Sequence, residues 1–315
     1  ATFLLLMAGG LVNPTGSSLA CPEAFVICKG ALFPKMEGGV LFEHGHRLIA
    51  MSVGLLQLGL TVLLWRRRPA LRGWAAAALV LVAIQALLGA LTVKFRLPWF
   101  VSTAHLMVAM SYFALALFTA WRTRPARAPA APAPSAVGAR LRPWIAVGGT
   151  AVLLQILLGG LVRHHGAALA SVELPLHQGQ LWPSGAPLAL QLHIAHRLAG
   201  VVVGLIAIAT SIGILRGSVR DRAALRGVRR AALLVPLAVV AQVTLGIFII
   251  LTFRSVPVVI VHFGGAALLW GLYCAMWLMT GSKGPAPRAE RARGRDQAAA
   301  AHDLVAGHGA IGGRG

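Results

Sequence analysis

Charge of either sign is scarce in this sequence. Only 12% of its 315 residues are charged, and just eight are Asp or Glu. Soluble domains carry about twice that charged fraction, so a soluble globular fold is excluded. Hydrophobic residues make up 57% of the chain and its mean hydropathy is +0.77. Apolar runs long enough to cross lipid recur along it, so the chain reads as a polytopic helical membrane protein. The 29 Lys and Arg would suggest nucleic acid in a soluble protein. Here they fall between apolar runs, where they read as cytoplasmic anchors, and nucleic acid is excluded as a partner. Cysteine is sparse too. Cys274 stands alone in an apolar run and reads as a packing residue, whereas Cys21 and Cys28 share a polar loop. No cleavable signal peptide is evident. The first apolar run begins at Ala1 and covers about twelve residues, short for a span, so a truncated first helix is expected.

Eight spans are predicted, at about 1–12, 41–65, 73–94, 99–121, 143–162, 189–214, 229–251 and 256–280. The segments after the second, fourth, sixth and eighth are basic, which places them in the cytoplasm together with both termini. The loops at 13–40, 94–98, 163–188 and 252–255 then face outward. Residues 122–142 contain an Ala/Pro-rich linker, and the Ala/Gly/Arg-rich tail 281–315 is expected to be disordered.

An internal repeat divides the chain. Gly9-Gly10-Leu11-Val12 recurs as Gly159-Gly160-Leu161-Val162, and His46-Arg47-Leu48 as His196-Arg197-Leu198, both at an offset of 150. Gln85, Gly89 and His105 recur as Gln242, Gly246 and His262 at an offset of 157. The expected fold is all-α: two tandem four-helix bundles, 1–121 and 143–280, related by a pseudo-two-fold axis along the membrane normal.

His46, His105, His196 and His262 each lie roughly six residues, or about 9 Å, inside the outer end of a span. Two imidazoles at one depth on separate helices of a bundle can ligate one haem iron from both faces. A zinc site is disfavoured, since no third or fourth ligand accompanies either pair. Gly45, Ala104, Ala195, Gly264 and Gly265 are candidates for letting a flat macrocycle approach the backbone. Arg47 and Arg197 either receive haem propionates or snorkel to the interface. The remaining outer-side histidines, His44, His164, His165 and His177, read as surface or loop residues.

The halves differ in two places. Glu43 stands where the second half has His193, one turn from His46. It is either a proton acceptor and charge stabiliser at a haem edge or a boundary carboxylate paired with a base. Cys21 and Cys28 align with Ser171 and Gln178, and in an oxidising compartment they can close a disulfide, as a staple or a redox pair.

This combination of the Gly-Gly-Leu-Val repeat, Glu43-x-x-His46-Arg47, four histidines and a cysteine-bearing first outer loop resembles the haem A synthase family, in its bacterial type with paired cysteines. The resemblance implies that the first half binds haem O as substrate through His46 and His105, and that the second holds a haem B cofactor through His196 and His262. It implies oxidation of a haem O methyl group to formyl by successive hydroxylations, with Glu43 as essential carboxylate and Cys21/Cys28 as a pair of open role. Expected partners are the lipid bilayer, a haem O synthase and an electron acceptor; self-association stays open. A two-haem b-type cytochrome for quinol-linked electron transfer is the main alternative, and a haem transporter is another.

Overall fold

The computed structural model describes residues 1–23, 27–124, 136–219, 222 and 225–280. The described residues form eight α-helices and no β-strand: α1 (Thr2–Val12), α2 (Gly38–Arg67), α3 (Arg72–Lys94), α4 (Trp99–Thr123), α5 (Ala136–His164), α6 (Leu188–Gly217), α7 (Arg226–Leu251) and α8 (Val256–Thr280). Seven are long and apolar enough to cross a bilayer; α1, with 11 residues, is shorter. Helices are what lipid permits, because each backbone N–H and C=O must find its partner within the segment. Outward faces carry large apolar side chains, such as Leu55 at 64% and Leu205 at 63% exposure, as a lipid-facing surface requires. The protein is a multi-pass, all-α membrane protein.

All eight expected spans are helices, most of them longer than expected. The largest extension is in α5, which begins at Ala136 and runs through Pro143. With α4 reaching Thr123, the expected 122–142 linker is helical at both ends. Its stretch Pro125–Pro134 and the tail 281–315 lie outside the described residues.

Within the first half α1 packs on α2, α2 on α3 and α3 on α4; within the second, α5, α6, α7 and α8 pack around a closed ring. The halves meet where α1 touches α8 and where α4 touches α5 and α8. The largest apolar core lies in the second half, around Ile145, Ile214, Val235 and Tyr273, and reaches across to Leu6, Met110 and Phe113. The first half has smaller clusters, one around Val53, Ala78 and Tyr112 and another around Leu64, Leu71 and Ala75. Its middle is a cavity.

Both sequence offsets reappear in the backbone. Gly16 and Gly166, 150 apart, adopt left-handed φ values of 70° and 66°. Arg96-Leu97 and Phe253-Arg254, 157 apart, also have positive φ. Leu97 N–H donates to Thr92 O at 2.7 Å and Arg254 N–H to Ile249 O at 2.8 Å, the six-to-one bond of a Schellman ending. Glycine usually occupies such positions, and here ordinary side chains do, in matching places.

Candidate functional site

The repeated glycines explain how the four imidazoles are held. A Cβ at Gly9 would stand 2.8 Å from His46 Cε1; at Gly159, 3.0 Å from His196 Cε1; at Gly89, 3.3 Å from His105 Cε1; at Gly246, 3.6 Å from His262 Cε1. Each ring therefore rests on a glycine of the helix before it. The second glycine of each pair serves the other half. A Cβ at Gly10 would meet Phe263 Cδ1 at 2.8 Å, and one at Gly160 would meet Leu106 Cδ2 at 2.7 Å. Phe263 and Leu106 directly follow His262 and His105. The Gly-Gly repeat thus seats one imidazole of its own half and locks against the other half.

Two of the five small residues expected to admit a macrocycle have close neighbours in the protein itself. Gly264 lets Met7 of α1 approach α8, and Gly265 accommodates the Gln242 amide.

His46 and His105 line one cavity of about 530 Å³, together with Glu43, Arg47, Gln85 and Tyr112. That size is ordinary for a small-molecule site. Leu5, Leu6, Val53, Val82 and Ala109 supply apolar walls. His46 Nδ1 and His105 Nδ1 are buried with no hydrogen-bond partner, as is His262 Nδ1. Buried polar atoms are normally paired, and His44 Nδ1 and His193 Nδ1 are unpaired too; His46 and His105 differ from those two in lining the cavity. An apolar cavity flanked by two such imidazoles fits a haem. His196 and His262 are not among the residues lining this cavity. The Gln155 amide donates to His196 O at 2.9 Å and lies 3.1 Å from His196 Nδ1. Gln85 likewise donates to His105 O at 3.0 Å.

Glu43 is 4% exposed. Its Oε1 pairs with Arg47 Nη2 at 2.6 Å and its Oε2 accepts the Cys21 N–H at 2.9 Å. Arg47 also donates to the carbonyls of Cys21 (3.0 Å), Glu23 (2.6 Å) and Ile27 (3.1 Å). The pair therefore fastens the loop between α1 and α2 to α2 beside the cavity. Arg197 repeats half of this clamp, donating to the Ser171 and Glu173 carbonyls. Both arginines spend Nη donors on protein carbonyls. These hydrogen bonds hold each loop to its helix; Arg47 also lines the cavity, and Arg197 Nε is buried without a partner.

Cys21 and Cys28 are disulfide-bonded and fully buried. In the second loop the corresponding position to Cys28 is His177, not Gln178. The isolated bridges Cys28–Ala31 and His177–Gln180 match, as do the left-handed pairs Lys29-Gly30 and Gln178-Gly179. All are offset by 149, while Ser171 before them and His196 after them keep 150, so the second loop has one residue fewer before this turn and one more after it. His177 Nδ1 lies 3.1 Å from Ser171 Oγ, so a hydrogen bond closes the second loop where a disulfide closes the first. Glu23 braces the first loop from outside, accepting the Lys29 and Gly30 N–H groups at 2.8 and 3.0 Å. The Lys29 hydrogen bond leads the causes that hold its carboxyl below the ordinary value of 4.5.

Two further expectations, for His44 and His164, need correction, whereas His165 lies in the turn after α5 as expected of a loop residue. His44 is fully buried rather than at the surface. Its Nε2 lies 2.9 Å from Leu32 O, and a ring nitrogen lies within 4.8 Å of both cysteine sulfurs. Since those sulfurs are bonded to each other, His44 packs beneath the staple. His164 lines the first-half cavity, as does its neighbour Arg163. His165 stacks near Trp99, with ring centroids 5.0 Å apart. Sequence reasoning missed Arg163, His164 and Gln155 as site residues. Arg163 and His164 follow the second Gly-Gly-Leu-Val directly, where the first half has Asn13-Pro14; that break in the repeat was the available signal.

Residues 37–274 match the family model described as cytochrome oxidase assembly protein. The chain belongs to that family. Relatives over nearly its whole length include the haem A synthase of Shouchella clausii, 27% identical over 88% of this chain and 92% of the relative. That of Symbiobacterium thermophilum is 28% identical over 88% and 91%. Over a shorter stretch, 37% of this chain and 39% of the relative, the haem A synthase of Bacillus pumilus is 33% identical. The matched region contains Glu43 and all four histidines of the candidate sites.

Proposed function

We propose that this protein is a haem A synthase, a membrane oxidoreductase that converts a methyl group of haem O to a formyl group. The observation that carries the reading is the first-half cavity itself. It brings His46, His105 and the buried Glu43 together in a chain whose relatives bear that name. His46 and His105 hold the substrate iron, each ring fixed against Gly9 or Gly89. Among the described residues Glu43 is the one acidic group lining the cavity, positioned at the edge of the macrocycle to receive a proton released on oxidation. Arg47 and the Cys21 N–H keep its carboxylate in place.

His196 and His262 hold a haem B cofactor in the second half. That group, when bound, would supply electron-transfer capacity; His196 and His262 would be the imidazoles that hold it, with Gly159 and Gly246 behind them. The two halves, 1–121 and 143–280, act as pseudo-two-fold-related bundles in the plasma membrane. Both termini lie in the cytoplasm and both sites lie toward the outer face. The basic segments after α2, α4 and α6 support that orientation. A haem O synthase supplies the substrate and an external acceptor removes the electrons. The Cys21–Cys28 disulfide is a structural staple, because the Ser171–His177 contact does the same work without sulfur.

The test is extraction and identification of the pigments in the purified protein, with and without a co-expressed haem O supply. Haem O or haem A beside haem B is expected. Two permanently bound haem B groups, with no haem O or haem A under either condition, would instead identify a b-type cytochrome.

A further inference from the structure

We infer that Arg163 and His164, at the end of α5, form the subsite that anchors the acidic side arms of the macrocycle in the first-half cavity. This rests on the reading of that cavity as the haem O site and adds which residues set the ligand's orientation.

Among the described residues the cavity is lined by seven ionisable side chains: Glu43, His46, Arg47, His105, Tyr112, Arg163 and His164; the Tyr112 hydroxyl donates to Gln57 Oε1 at 3.0 Å. Glu43 and Arg47 neutralise each other, and Arg47 Nη atoms also serve three loop carbonyls. His46 and His105 are the iron-facing pair. Arg163 and His164 are left to meet an anion. Among the described residues Arg163 makes no ion pair. Its Nη2 donates to Gly10 O at 2.9 Å, and its Nε is buried without a partner. A guanidinium has five N–H donors, so most of its capacity is uncommitted. Shielding a cation without a counter-charge is costly, and a carboxylate suits the fork of donors that remains.

The chain holds this cation in a fixed place. Gly10 offers its carbonyl to Arg163, and its missing side chain lets Phe263 come close. The Arg163 guanidinium carbon lies 5.8 Å from the Phe263 ring centroid. Arg163 and His164 occupy the last turn of α5, where the helix dipole favours positive charge. The subsite is thus built across the boundary between the halves, from α1, α5 and α8, while the ring ligands come from α2 and α4. Arg163 and His164 lie at a helix end, Asn13 and Ser18 line the same cavity from the segment after α1, and most of the apolar lining lies within the spans. A flat apolar ring with acids along one edge has one favoured way to enter.

The test uses the full chain in lipid nanodiscs, carrying its resident pigment, titrated with haem O and separately with haem O dimethyl ester. Binding is followed by the change in the visible spectrum. Wild type is expected to bind the diacid tighter than the ester by about tenfold or more, the scale of one or two hydrogen bonds to a charged group. Arg163→Gln combined with His164→Gln is expected to bring the two affinities within about twofold by weakening the diacid alone. Arg163→Lys keeps the charge and is expected to retain part of the preference. An undiminished preference in the double variant, or equal weakening of diacid and ester, would overturn the subsite. Wild type binding both forms equally would overturn it too, leaving the cavity assignment standing. Failure of wild type to bind either form would overturn the cavity assignment together with the subsite.

Discussion

Alanine placed at the four glycines behind the imidazoles gives a graded test of the site. Ordinary van der Waals contact begins at 3.4 Å, and the added Cβ would stand at 2.8, 3.0, 3.3 and 3.6 Å from the ring at Gly9, Gly159, Gly89 and Gly246. The ring must therefore retreat by about 0.6 Å for Gly9→Ala, about 0.4 Å for Gly159→Ala and about 0.1 Å for Gly89→Ala, and not at all for Gly246→Ala. Metal sites tolerate roughly 0.2 Å in ligand position. The first two variants should lose bis-imidazole ligation, at His46 and His196 respectively, and the last two should keep it. Overpacking costs about 1–3 kcal/mol, whereas replacing a helical glycine without a clash gains up to about 1 kcal/mol. Thermal melts should therefore fall for Gly9→Ala and hold or rise for Gly246→Ala. The assay is the reduced-minus-oxidised low-spin spectrum of each purified variant, with its melting temperature. Equal damage from Gly246→Ala and Gly9→Ala would refute the argument that the glycines act by seating the rings.

Glu43→Gln should abolish haem A formation while leaving the second-half pigment spectrum intact; retained product would remove the carboxylate from the chemistry. The same change should weaken the first outer loop by about 1–3 kcal/mol, read as faster amide exchange there, because Arg47 keeps its three carbonyl bonds. Cys21→Ser with Cys28→Ser opens a short loop and should cost about 2–3 kcal/mol without ending turnover. Complete loss of haem A in a folded double variant would point to redox chemistry instead. Glu23 has a depressed pKa, so its bracing of Lys29 and Gly30 is present above the carboxylate's ordinary value of 4.5 and is lost only as pH falls through its lower folded value. Amide exchange at those two residues should stay slow down to pH 4.5, and opening well above that pH would contradict the assignment.

The helices, their number and the two repeat offsets were legible in the linear chain, because hydropathy and residue spacing are local properties that lipid reads directly. The four histidines stood out for the same reason: a polar ring in an apolar run is conspicuous wherever its helix packs. Glu43 was visible as the place where the repeat breaks. What the glycines are for was not visible. Gly9 and Gly10 are neighbours in sequence, yet one faces His46 and the other Phe263 on α8. Only the packing of α1 between α2 and α8 assigns them. The matching of Cys28 with His177 likewise needed the backbone, since a one-residue deletion made good later in the same polar loop leaves no periodic mark. The partners of Arg47, the burial of His44 and the reach of Arg163 and His164 into the other half's cavity were decided by tertiary structure alone. Each depends on which helix ends meet in the fold, a relation between residues as far apart in the chain as Gly10 and Arg163 that spacing along one strand of sequence does not encode.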